Sequence, residues 1–118
     1  MQYKYKIWIE KDDNTVFGMG ISRLLTLVEE TGSLHKAAMS LKMSYRAAWG
    51  KIRDYEKRLG VGLLEKGRHG RTGARLTDEG KEMLLEFNRL TKELDQTLDE
   101  GPIQDILSRI EKIGEKIE

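Results

Sequence analysis

Tyr45, Arg46, Trp49 and Arg53 stand three, four and seven residues apart, so a helix would bring them onto one face near its start. Their chemistry is recognition rather than bond making. A guanidinium pairs bidentately with the acceptor edge of guanine or reaches a phosphate, and tyrosine or tryptophan lies against thymine methyls or sugars. Gly50, beside them, would let the helix approach its ligand closely. Residues suited to catalysis are scarce by comparison. The two histidines, His35 and His69, have no HxxxH or HExxH spacing and no evident Ser-His-Asp relation, and the chain has no cysteine to act as nucleophile, metal thiolate or disulfide. No catalytic residue, metal site or enzyme activity is expected.

Two helical patterns position that face. In the second, Ser44 is a good N-cap, Ala48, Ile52, Tyr55 and Leu59 recur on the opposite, inward side, and Gly60 stands where the helix should end. In the first, Ser33 caps and Leu34, Ala37, Ala38 and Leu41 recur at helical spacing. The turn at Lys42 and Met43 is too short for a relaxed antiparallel hairpin. The helices should therefore cross steeply, with Met43 buried at their meeting, as a helix-turn-helix over residues 33–59. Such a pair offers its second helix, residues 44–59, to the DNA major groove, with Trp49 exposed. The alternative is that Trp49 folds back onto the strands of a following wing or onto the N-terminal strand as core, since tryptophan is more often largely buried than not.

The formal net charge of +1 conceals a division along the 118 residues. Residues 1–32 carry 4 basic and 5 acidic side chains, residues 33–75 carry 11 and 3, and residues 76–118 carry 6 and 12, or about −1, +8 and −6. Positive charge thus clusters with the helix pair, an electrostatic footprint for double-stranded DNA. The opening MQYKYKIWIE is no signal peptide and no apolar run reaches membrane-spanning length, so a cytoplasmic location without membrane contact is expected.

Around the helix pair, short elements complete one domain over residues 1–77. Alternation from Tyr3 to Ile9, turn residues Asp12 to Asn14 and the return Thr15-Val16-Phe17 predict a hairpin over 3–17. Leu24, Leu25, Leu27 and Val28 predict a helix from Ile21 to Thr31. A wing is expected over 62–77: a strand within Val61–Lys66, a glycine-rich basic tip and a return strand from Ala74 to Thr77. In this arrangement Arg68, His69 and Arg71 anchor the wing on phosphates or the minor groove, and Ser33, Lys36 and Ser44 hold phosphates. The glycine-rich tip lacks the Lys-Ser/Thr pair that opens a helix in a nucleotide-binding P-loop.

With these residues in view, positions 5–87 resemble the N-terminal DNA-binding domain of ModE-type molybdate-responsive regulators, itself similar to the winged helix of LysR-type regulators. The resemblance is carried by Thr31-Gly32-Ser33-Leu34 with Ala37-Ala38, Met43-Ser44-Tyr45-Arg46-Ala47-Ala48-Trp49, Leu59-Gly60, the glycine-rich wing, and Leu76-Thr77 with Gly80. It implies a mainly α fold with small β elements, binding duplex DNA sequence-specifically as a homodimer and regulating transcription. Molybdate-sensing members carry a C-terminal domain of small β-barrels, for which this chain has no room. It therefore resembles a stand-alone member, and neither a cofactor nor molybdate binding is expected.

Residues 78–118 are expected to serve dimerisation. Thr77 caps a helix whose first turn holds Asp78 and Glu79, and its apolar stripe includes Met83, Leu84, Phe87, Leu90, Leu94 and Leu98. After Gly101-Pro102 a second stripe follows, with Ile106, Ile110, Ile113 and Ile117. These apolar residues would meet a second copy; the alternative is that the last helix folds back on its own subunit. In place of DNA, a small protein-interaction module would use the Tyr45 and Trp49 face.

Overall fold

A computed structural model describes residues 1–67, 73–98 and 101–115. The elements run β1 (Trp8–Lys11), β2 (Asn14–Gly18), α1 (Met19–Thr31), α2 (Leu34–Ser40), α3 (Tyr45–Leu59), β3 (Leu64–Lys66), β4 (Ala74–Leu76), α4 (Asp78–Leu98) and α5 (Gly101–Glu115). They form two compact units, one spanning Ile7–Phe87 and the other combining Met1–Lys6 with Asn88–Glu118. The expected winged helix-turn-helix is borne out in the first. Each of its two sheets is an antiparallel pair, β1 with β2 and β3 with β4.

Local chemistry accounts for the boundaries. The Ser33 hydroxyl accepts from the Lys36 N–H at 3.1 Å and the Ser44 hydroxyl from the Ala47 N–H at 3.0 Å, so each helix of the pair starts on its serine. Gly32 and Gly60 end α1 and α3 in the left-handed conformation that glycine adopts without a Cβ penalty. The turn between α2 and α3 has no glycine. Lys42 takes the left-handed position there, with φ of 57°, and the chain closes when the Met43 N–H donates to the Ala38 carbonyl at 3.0 Å.

The core is shared by the elements of this unit other than β1, whose four residues are exposed. Phe17, Ile21, Leu24, Leu25, Val28, Leu34, Ala37, Ala48, Ile52 and Leu63 are fully or almost fully buried. Leu84 and Phe87 bring the start of α4 into the same core. Ala48 and Ile52 are its α3 contribution, while Tyr55 and Leu59, expected on the same inward face, are half-buried. Met43 is also only partly covered, because the short turn holds it at the rim of the core.

The N-terminal hairpin is shorter than the alternation predicts. Pairing begins at Trp8 opposite Gly18, and the register slips between Ile9 and Glu10. Asp12 and Asp13 form the two-residue turn with positive φ, a geometry that suits the right-handed twist of a hairpin. Tyr3 and Tyr5 lie outside the strand because their hydroxyls are engaged elsewhere: Tyr3 donates to the Leu98 carbonyl at 3.2 Å and Tyr5 to Asp95. Alternation cannot distinguish a strand from an extended arm. Three other boundaries also shift: α1 starts at Met19 rather than Ile21, β3 at Leu64 rather than Val61, and Gly101 and Pro102 open α5 instead of lying outside it. A proline in the first turn gives up no helical hydrogen bond.

Candidate nucleic-acid interface

The N-terminal half of α3 presents the face that the spacing predicts. Tyr45, Arg46, Gly50 and Arg53 are exposed, whereas Ala48 and Ile52 point into the core. Arg46 has no hydrogen bond or ion pair among the described residues. Its guanidinium is available to a base edge or a phosphate. The Tyr45 ring is held from two sides, 5.9 Å from the His35 ring and 6.4 Å from that of Trp49. This fixes the first turn of α3 against the start of α2.

Trp49 departs from the expectation that it is exposed. It is partly buried, and its Nε1 is fully covered without a hydrogen-bond partner among the described residues. Lys66 Nζ, at the end of β3, lies over the indole at 4.9 Å from its centroid, and the Arg53 guanidinium carbon lies at 5.7 Å. The structure thus realises the other possibility, in which Trp49 folds back onto the wing. An unpaired buried donor costs about 1–3 kcal/mol, so this indole is a poor choice for packing alone. It is, however, the best aromatic platform for cations.

The base of the wing is tied down by a backbone bond and by the side chains of Glu56 and Thr77. The Ala74 N–H donates to the Gly32 carbonyl at 3.0 Å, immediately before the Ser33 cap. Glu56 of α3 accepts from the N–H of Leu63 at 2.7 Å and of Leu64 at 3.3 Å, holding the start of β3. Thr77 donates to the Gly62 carbonyl at 2.6 Å and accepts from the Gly80 N–H at 2.9 Å, so the end of the wing is also the cap of α4. Between the start of α2, the start of α3 and the wing lies a cavity of about 740 Å³ lined in part by Ser33, His35, Lys36, Tyr45 and Lys66. A second cavity, of about 660 Å³, lies between α3 and β3.

Ser33, Lys36, Ser44, Tyr45, Arg46, Trp49 and Arg53 are thus gathered on the helix pair, the two serines with their oxygens already accepting from helix N–H groups. Arg68, His69 and Arg71, expected at the wing tip, lie outside the described residues, as does Ile117. For Lys57 and Lys66, also beside this face, the sequence carries no signal beyond membership of the basic segment, since nothing in the spacing places the end of β3 beside Trp49. Among the described residues no cluster of His, Cys, Asp or Glu can hold a metal ion, and no helix is long and apolar enough to cross a membrane.

Among the residues expected to dimerise, one needs correction. Phe87 is buried against Phe17 and is not free for a second copy, while Met83 is partly buried against the same core. Leu94 and Leu98 are partly covered within the second unit. Leu90, Ile106, Ile110 and Ile113 stay exposed, and no described residue of α5 is fully buried.

This fold and this face define a winged helix-turn-helix of the type found in DNA-binding domains. Residues 22–81, just over half of the chain, match the model of the bacterial regulatory helix-turn-helix proteins of the LysR family, and the chain belongs to that family. It is similar to the molybdenum transport protein ModE of Azotobacter vinelandii, with 30% identity over 93 residues. That match takes in 77% of this chain but 34% of ModE, so the chain spans about a third of that relative's length. Among solved structures, the DNA-binding domain of CbnR in complex with DNA is similar with a TM-score of 0.53 at 27% identity, covering 66% of this chain and 86% of that one. The DNA-binding domain of BenM in complex with benA site 1 DNA gives 0.52 at 28%, covering 75% and 90%. The resemblance to ModE-type and LysR-type winged helices drawn from the sequence is borne out.

Proposed function

We propose that the chain is a transcription regulator that binds duplex DNA sequence-specifically as a homodimer, without a cofactor and without molybdate as its effector. The observation that carries the reading is the exposed face of Tyr45, Arg46, Gly50 and Arg53 at the start of α3, left free by a core that uses only the opposite side. In this reading α3 enters the major groove, Arg46 reads a base edge, and Ser33, Lys36 and Ser44 meet phosphates. The wing lies on the flanking backbone, anchored by Arg68, His69 and Arg71. That two of the similar structures are complexes with DNA supports DNA binding.

Dimerisation rests on a separate observation. An isolated 15-residue helix is marginal in water, and α5 keeps Ile106, Ile110 and Ile113 exposed on its apolar side. A second copy covers them and places two recognition helices one DNA turn, or a multiple of it, apart on an inverted repeat.

Fluorescence anisotropy against a random duplex pool and a selected duplex, at two salt concentrations, tests the reading. Affinity should fall steeply with salt while preference for the selected duplex persists. Weak binding without preference would remove the regulator reading and leave Tyr45 as a contact for a protein partner.

A further inference from the structure

Lys66 and Arg53 come from different elements, β3 and α3, yet both are held against the indole of Trp49. Neither has a carboxylate partner among the described residues. Like charges gathered at one ring repel, and an anion between them turns that repulsion into attraction. The cavity of about 660 Å³ between α3 and β3 is lined by these three residues together with Lys57, Gly60 and Gly62. Glu56 also lines it, but its carboxylate is engaged by the N–H groups of Leu63 and Leu64. Three cations against one carboxylate leave the cleft positive.

We propose that this cleft seats one phosphate of the DNA backbone, and that Trp49 is a positioning residue that holds Lys66 and Arg53 around it. The proposal rests on the DNA-binding reading and deepens it. Trp49 and Arg53 then serve the backbone rather than the bases, and the indole joins wing to recognition helix, so that phosphate contact and base readout by Arg46 share one register.

The test uses the full chain and a selected duplex carrying, in turn, a single neutral methylphosphonate at each backbone position, titrated by fluorescence anisotropy. Wild-type protein should lose roughly tenfold in affinity when the seated phosphate is neutralised. Lys66→Gln and Trp49→Ala should lose about as much on the unmodified duplex and no longer respond at that position, while Trp49→Phe, whose ring still faces the cations, keeps most of the response. Thermal unfolding of each variant accompanies the titrations; if Trp49→Ala unfolds, Lys66→Gln and Trp49→Phe decide. A Lys66→Gln protein as sensitive as wild type at every phosphate overturns the seat while DNA binding stands, and a folded Trp49→Ala protein with an intact response overturns the role of the indole. A wild-type chain that binds no duplex overturns the DNA-binding reading and the seat with it.

Discussion

Phe17 of β2 and Phe87 of α4 meet edge to face, with ring centroids 5.1 Å apart and planes at 64°. Both rings are buried, and Phe87 is the last buried residue of α4. The contact therefore joins the N-terminal hairpin to the end of the first unit. Phe87→Ala should cost about 3–5 kcal/mol, a large part of the stability of a small domain. Leu90→Ala, at a residue 39% exposed, should cost about 0.5 kcal/mol. Urea unfolding of the two variants checks the contrast.

Gly80 sits where the first turn of α4 crosses the wing. A Cβ there would press on the Leu63 carbonyl and stand 3.2 Å from the Thr77 hydroxyl oxygen. Glycine to alanine ordinarily favours a helix, but here the backbone of Leu63 must shift. Gly80→Ala should destabilise by about 1–3 kcal/mol, read as a lowered melting temperature.

Tyr5 should titrate late. Its hydroxyl donates to Asp95, and that hydrogen bond, with the negative charge beside it, pushes the phenol from 10.0 up to about 12. Because the folded value is raised above the unfolded one, the contribution to stability is complete below about pH 10 and is lost as pH rises through about 12. Ultraviolet titration should show a phenol ionising near pH 12, and Asp95→Asn should bring it back down.

Arg46 and Lys36 should divide specific from general affinity. Arg46→Ala is expected to cost about 1–3 kcal/mol on a selected duplex and to relax preference at one position. Lys36→Ala should weaken all duplexes alike and reduce the salt slope by about one. Anisotropy titrations across salt concentration separate the two; equal losses on every sequence would contradict the division.

Ile110, 47% exposed on α5, should govern assembly. Ile110→Asp is expected to shift the molar mass in size-exclusion light scattering from dimer to monomer. A wild-type chain that remains a monomer at every concentration would exclude the homodimer.

Much of the first unit is written locally. Ser33, Ser44, Gly32 and Gly60 mark helix ends through bonds made within a few residues, and the apolar period of α1 and α3 is set by the helix itself. The exposed Tyr45, Arg46 and Arg53 follow from that period, because burying Ala48 and Ile52 leaves the other face outward. The positions of Tyr5, Trp49 and Phe87 are set by residues far along the chain: Asp95, Lys66 and Phe17. A sequence pattern records which face is apolar. Only the packed chain decides whether that face meets its own core, and which distant cation comes to rest on an aromatic ring.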